Sequence, residues 1–293
     1  MKPNWNIRIA MAVLAVLIAF RPGIGGAVTA EKPVGNDLEV LLVVDETLSM
    51  SALDYNGARS RLEGVRDDLT TITKALPYAR FGLIGFGHDA KVDLAFTDSR
   101  AAIQRAITGI TREPMMAGTG TTLDRPLDLM TTVLAQAQRQ HPDRRRVVIF
   151  LSDGENTKAG AVQRSFAVAR KYVDDGAVLG YGTSQGGRMP TGGEPPWTFV
   201  RNLATGQDAR SRIDETNLRK IAGQLGVDYA YRGGTGSLTD WAVGLSHDSQ
   251  NLTEDGKDDF ELYWILAIVL AALALVELRL DVLAWREAKE VAG

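Results

Sequence analysis

The chain has 293 residues, with 33 basic against 36 acidic side chains, a formal net charge of −3 and no cysteine. This balance excludes a generally basic, nucleic-acid-coating protein, and the missing thiols exclude disulfide scaffolds, thiolate metal centres, Fe–S clusters and cysteine nucleophiles. The length suits one globular domain plus extra segments, and with His88, His141 and His247 widely spaced, a histidine-built zinc site is not expected.

Residues 9–20 are an unbroken apolar stretch, with Lys2 and Arg8 before it and Arg21-Pro22-Gly23 after it. About twelve helical residues rise about 18 Å, short of the roughly 30 Å hydrocarbon core of a bilayer. Trp5 and Ile7 lengthen the stretch if Arg8 snorkels. The segment reads as a signal anchor. A cleaved secretory signal is the alternative, because Val28-Thr29-Ala30 resembles a small-residue cleavage site.

The central region alternates strand and helix patterns. Residues 38–44, 147–151 and 177–181 are nearly continuous apolar runs, as expected of strands buried on both faces of a parallel sheet. Leu62, Val65, Leu69, Ile72 and Leu76 recur at helical spacing, as do Leu123, Leu127, Met130, Leu134 and Ala137. Shorter helical patterns run through Val162, Phe166, Ala169 and Val173, and through Leu218, Ile221 and Leu225, the last with Asp214 as N-cap. Residues 81–86 and 92–96, separated by turn residues 87–91, predict a hairpin. Arg144-Arg145-Arg146 reads as a solvated lead-in to a strand, and the Gly- and Pro-rich residues 183–197 as a loop.

A second apolar stretch, residues 262–276, continues amphipathically through Leu278, Leu280, Val282 and Leu283. Tyr263, Trp264 and Trp285 are spaced as interfacial anchors, and Glu277 and Arg279 fit the headgroup level. Arg279, Arg286 and Lys289 follow it, whereas Glu254, Asp255, Asp258, Asp259 and Glu261 precede it. Both charge asymmetries predict cytoplasmic termini and an extracytoplasmic domain at the cell membrane. The expected fold is therefore α/β: a doubly wound, Rossmann-like, mostly parallel six-stranded sheet with one antiparallel edge strand, flanked by two membrane helices. The expected divisions are 1–35 (anchor and linker), 36–232 (globular domain), 233–260 (polar connector, with Leu238, Trp241 and Leu245 spaced for a short helix) and 261–293 (membrane helix and tail).

The chemistry-bearing residues sit at strand ends. Asp45 closes the first strand and Thr47 and Ser49 follow at two-residue intervals, while Asp153 follows the strand of residues 147–151. In a sheet ordered 3-2-1-4-5-6, the first and fourth strands are neighbours where the winding reverses, and ligands collect above that point. The loop Ala117-Gly118-Thr119-Gly120-Thr121-Thr122 adds hydroxyls just before a helix. Carboxylates, hydroxyls and waters suit a hard cation, and few charged ligands favour Mg²⁺ over a calcium cage.

These residues resemble the von Willebrand factor A domain with its metal-ion-dependent adhesion site. Asp45, Thr47 and Ser49 match that family's Asp-x-Ser-x-Ser motif with one hydroxyl-preserving change, residues 120–127 resemble its Thr-bearing motif, and Asp153 in Ser152-Asp153-Gly154 matches its third motif. The resemblance implies that Ser49, Thr47 and Thr121 bind the metal directly or through water, with Asp45 and Asp153 close by. Thr119 and Thr122 are alternatives to Thr121, and Ca²⁺ or Mn²⁺ to Mg²⁺.

Beyond the domain, residues 49–54, Arg61-Leu62-Glu63, Ile213-Asp214-Glu215, Leu218 and Ile221-Ala222 resemble bacterial Bat (aerotolerance-type) membrane proteins. That resemblance implies a protein-binding module that captures a carboxylate of a partner protein through the metal. It also implies other Bat-like proteins as partners and an indirectly linked MoxR-type AAA+ ATPase, while the charge balance points to no nucleic acid. Two other readings stand beside it. One is a metal-free scaffold in a membrane complex. The other is a serine hydrolase using Ser184, because Gly182-Thr183-Ser184-Gln185-Gly186 fits a Gly-x-Ser-x-Gly elbow, although Gly187-Arg188-Met189-Pro190 is poorly suited to begin the helix that motif needs.

Overall fold

Strand β1, Leu38–Asp45, is buried along its whole length, and its alternation sorts its side chains between two cores. Val40, Leu42 and Val44 enter one apolar cluster and Leu41 and Val43 the other, so the strand needs helices on both faces. The computed structural model describes residues 5–19, 23–24, 36–114, 120–158, 160–192, 195–234, 238–251, 260–261 and 263–291. The chain divides into two compact units, Pro33–Asn251 and a second made of Met1–Lys32 with Leu252–Gly293.

In the larger unit, β1 leads through helix α2 (Arg61–Ala75; α1 belongs to the smaller unit) to β2 (Arg80–Phe86) and β3 (Ala90–Thr97), then through α3 (Arg100–Gly109) and α4 (Leu127–Gln140) to β4 (Arg145–Ser152), β5 (Asp175–Gly180), α5 (Glu215–Leu225), β6 (Asp228–Tyr231) and α6 (Thr239–Asn251). The strands form one sheet in the order β3-β2-β1-β4-β5-β6. All neighbours are parallel except β2 and β3, which make the expected antiparallel hairpin. Helices α2, α3 and α6 cover one face and α4 and α5 the other. Each fully buried Leu, Ile or Val in these cores contributes about 1.5–3 kcal/mol relative to exposure.

Three expectations change. The pattern through Val162, Phe166, Ala169 and Val173 yields two short 3₁₀ turns, Phe166–Val168 and Arg170–Tyr172, because Phe166, Ala169 and Val173 are buried while Val162 is exposed, leaving too short an apolar stripe for an α-helix. Arg145 and Arg146 are not a solvated lead-in. They lie within β4, Arg146 buried with its guanidinium on Asp174 at 2.8 Å and Arg145 on Asp175 at 3.3 Å. The short helix expected within the 233–260 connector is found as α6, residues 239–251, but it is no polar spacer: Ala242 and Leu245 join the core under α2.

The smaller unit holds helix α1 (Trp5–Ala19), helix α7 (Tyr263–Val291) and a short antiparallel ladder of Gly23–Ile24 with Phe260–Glu261. Arg8 of α1 ion-pairs with Glu277 of α7 and lies 3.9 Å from Asp281. Trp5, Ile9 and Val13 on α1 and Ile268, Leu275 and Leu278 on α7 are exposed apolar side chains. Among the described residues, no helix is long and apolar enough to cross a membrane. The two expected spanning helices are thus not found there. Helix α1 has 15 residues, a rise of about 22 Å, and the apolar run of α7 is interrupted by Glu277, Arg279 and Asp281. The Val28-Thr29-Ala30 segment, Lys2, Arg21, Thr119 and the acidic residues 254–259 lie outside the described residues.

Candidate functional site

The carboxyl ends of β1 and β4 are adjacent where the winding reverses, the place where ligands of such sheets collect. Asp45, the last residue of β1, is buried there. Its Oδ1 accepts from the Thr47 amide at 3.0 Å and the Thr47 hydroxyl at 2.6 Å, and its Oδ2 accepts from the Ser152 hydroxyl at 2.6 Å. Burial and the nearby charge of Asp153 push the Asp45 carboxyl up to about 7, against the pull of the Ser152 and Thr47 hydrogen bonds. The Thr47 and Ser49 hydroxyls are 2.9 Å apart. Ser49 rides on a 3₁₀ turn, Leu48–Ser51, pinned by the buried side chain of Met50.

Thr121 reaches the same cleft from the loop before α4. Its amide donates to the Thr157 hydroxyl at 3.0 Å, and its carbonyl accepts from the amides of Thr157 at 2.9 Å and Lys158 at 3.2 Å. Gly120 has φ +97°, and a Cβ there would stand 2.6 Å from the Thr157 carbonyl oxygen, so the loop lies flat on residues 156–158 only because it has none. Thr47, Ser49 and Thr121 line one cleft of about 320 Å³, together with Glu113, Met189 and Arg210. Among the described residues the Thr121 hydroxyl has no hydrogen-bond partner. Thr122 is not among the residues that line the cleft.

Asp153, fully buried, is tied down by residues that sequence reasoning did not assign to the site. Its Oδ1 accepts from the Glu155 amide at 3.0 Å and its Oδ2 from Arg61 Nη1 at 2.7 Å. Arg61, itself 0% exposed, grips Asp54 through Nε at 2.8 Å and Nη2 at 2.9 Å. It also donates to the Ser211 hydroxyl at 2.7 Å and the Ser211 carbonyl at 3.0 Å. Ser211 donates to Glu155 at 2.5 Å, and burial first, then the Asp153 charge, raises the Glu155 carboxyl. Asp54 and Arg61 carry part of the Bat-type resemblance. That was the available signal, but nothing local to either residue points to a shared site.

Among the described residues, no three His, Asp or Glu side chains form a cluster able to hold a metal. The oxygen groups brought together are instead the hydroxyls of Thr47, Ser49 and Thr121, which line the cleft, and the carboxylates of Asp45 and Asp153, which do not line it themselves. All are hard oxygen donors with few charges, a set that fits Mg²⁺ keeping several waters. Ser184 is exposed, and the residues after it form the two-residue strand Gly187–Arg188 rather than a helix, so no nucleophile elbow is built.

Residues 40–155 match the von Willebrand factor type A domain, a protein-interaction fold. The chain is 27% identical over 289 residues to a UPF0353 protein of Mycolicibacterium paratuberculosis, covering 95% of this chain and 80% of that one. Two solved structures share the fold. The conserved hypothetical protein BatB from Bacteroides thetaiotaomicron aligns with a TM-score of 0.58 at 23% identity, over 74% of this chain and 100% of that one. An aerotolerance-related membrane protein from Bacteroides fragilis aligns with a TM-score of 0.54 at 23% identity, over 73% of this chain and 99% of that one.

Proposed function

We propose that the chain is a membrane-tethered binding module that holds a divalent cation, Mg²⁺ in the first instance, and through it captures a carboxylate of a partner protein, without catalysing a reaction. The observation that carries this reading is the shared cleft of Thr47, Ser49 and Thr121 beside the buried Asp45. Ser49, Thr47 and Thr121 would hold the cation directly or through water, with Asp45 and Asp153 supplying the negative charge. Bound there, the cation supplies a Lewis-acidic position for an incoming carboxylate oxygen. Met189 and Arg210 in the cleft wall offer an apolar contact and a cation to the rest of the partner's segment.

The tether in this proposal is the α1–α7 unit, whose exposed Trp5, Ile9, Ile268 and Leu275 suit a lipid environment. The domain would then lie on the extracytoplasmic side with the C-terminus in the cytoplasm. Other Bat-like proteins and an indirectly linked MoxR-type ATPase are the expected wider assembly.

The test is a pull-down from native membranes with the full chain, in Mg²⁺ against a chelator. Capture is expected to vanish with the chelator and with Asp45→Ala, while circular dichroism shows the fold intact. Retention of the same partner under both treatments overturns the reading. The cation-free scaffold is kept as the second reading on one observation: both oxygens of Asp153 already have donors within the protein.

A further inference from the structure

Arg61 breaks a local rule. It is the first residue of α2, immediately after the N-cap Ser60, where the helix macrodipole favours acidic side chains and disfavours a cation. It is also fully buried, and burying a guanidinium costs several kcal/mol before any partner is counted. Local rules broken without a local gain mark functional sites.

The surroundings are built around this guanidinium. Asp54 takes it bidentately, Ser211 accepts from it through both hydroxyl and carbonyl, and the Ser49 carbonyl lies 3.4 Å from Nη1. Gly182 has φ +115°, and a Cβ there would stand 2.6 Å from the guanidinium carbon, so the backbone after β5 leaves room for it. Asp54 is in turn held by the amide and hydroxyl of Thr183 at 2.9 and 3.0 Å. Asp54 balances one unit of charge. The remaining contact, Nη1 on Asp153 Oδ2 at 2.7 Å, sets this cation directly against one of the two carboxylates of the candidate metal site.

We infer that Arg61 is an internal counter-cation of the site: shared between Asp54 and Asp153, it offsets part of the Asp153 charge when no metal is bound and thereby weakens the hold of the site on a divalent cation. Arg61 is a positioning residue, acting through Asp153 and never touching the metal. The inference rests on the cation-binding reading given above. Its physical content is a competition. One buried carboxylate faces a fixed positive charge on one side and an incoming one on the other, and like charges a few ångströms apart inside a protein repel strongly. The guanidinium keeps the metal-free site folded, and the metal has to bind against it. Such a site fills only at high cation concentration and empties readily.

The test is a Mg²⁺ titration of the full chain in detergent by calorimetry, with thermal melting in parallel, on the wild type, Arg61→Met and the double variant Asp54→Asn/Arg61→Met. The double variant removes both members of the Asp54–Arg61 pair, so Asp153 is the one buried carboxylate that loses an ionic partner, against two, Asp54 and Asp153, in Arg61→Met. Mg²⁺ affinity is expected to rise at least about tenfold over wild type in whichever of the two folds. The cation-free melting temperature should fall, and the Mg²⁺-induced rise in melting temperature should grow. Arg61→Lys, which retains the charge but not the planar fork, is expected to stay within about threefold of wild type; this restoration by charge alone is a result that a purely structural role does not give. Affinity unchanged or lowered in a folded Arg61→Met or double variant, with wild type binding Mg²⁺ normally, overturns the inference and leaves the cation reading standing. No binding in any of the proteins overturns the cation reading, and this inference with it.

Discussion

The hydroxyl of Ser152 donates to Asp45 Oδ2 at 2.6 Å, joining the ends of neighbouring strands β1 and β4 from positions 107 apart in the chain. With Thr47 on the other oxygen, this bond fixes the plane of a carboxylate that burial would otherwise leave poorly satisfied. Ser152→Ala leaves Oδ2 without this donor. A stability loss of about 1–3 kcal/mol is expected from the stranded buried acceptor, together with a smaller Mg²⁺-induced rise in melting temperature. Urea titration and thermal melts with and without Mg²⁺ read both, and a variant indistinguishable from wild type would show that the Ser152 contact does not organise the site.

The ends of the strands were legible because each is a short apolar run closing on a polar residue, and buried strands advertise themselves by composition. Asp45, Thr47, Ser49 and Asp153 could therefore be located from the chain alone. Their environment could not. The contact of Arg61 with Asp153 closes over 92 residues and that with Ser211 over 150, and hydrophobic periodicity carries no information about which charge answers which. Arg146 shows the same limit: three adjacent arginines look solvated until Asp174 and Asp175, at the start of the neighbouring parallel strand β5, meet Arg146 and Arg145. Residues 183–197 read as loop because the pairings that order them are isolated bridges and the two-residue ladder of Gly187–Arg188 with Arg210–Ser211, too short to leave a pattern.

The start of α2 is set by a reciprocal cap. Ser60 Oγ accepts from the Glu63 amide at 3.2 Å, and the Ser60 amide donates to Glu63 Oε2 at 2.7 Å. Two otherwise orphaned N–H groups, those of Ser60 and Glu63, are thereby satisfied on either side of Arg61. Ser60→Ala is expected to cost about 1 kcal/mol and Ser60→Asp much less, since Asp is an equally good cap. Denaturant titration of the two variants decides it, and equal losses would show that the cap oxygen is not what matters.

Asp54 gives a pH dependence with a definite sign. Burial raises its carboxyl, but the hydrogen bonds and charge of Arg61, with the Thr183 bonds, outweigh it and hold the group below the usual aspartate range. A carboxylate depressed in the folded state stabilises fully above its unfolded value of about 3.9 and loses that contribution as pH falls toward its folded value. Asp54→Asn leaves Arg61 without its bidentate partner and is expected to cost about 3–5 kcal/mol near neutral pH. The gap between wild type and variant should be flat above about pH 5 and should narrow below about pH 4. Urea titrations across that range measure it, and a gap that widens on acidification contradicts the assignment.

Helix α6 separates a tether from a structural element. If residues 239–251 were a solvated connector, truncating an apolar side chain there would be nearly neutral, as surface substitutions are. Instead Leu245 is 4% exposed and Ala242 fully buried, both in the cluster that also holds Leu62, Leu69 and Ile72 of α2. The Leu245 carbonyl accepts from Arg145 Nη1 at 3.0 Å, which fixes the helix to the first residue of β4. Leu245→Ala removes three carbons from this contact and is expected to destabilise the protein by about 2–5 kcal/mol. Substitution of Tyr78, exposed at the turn between α2 and β2, should stay within about 0.5 kcal/mol. Comparing the two by chemical denaturation separates the alternatives. A Leu245→Ala protein as stable as wild type would return residues 239–251 to the role of spacer.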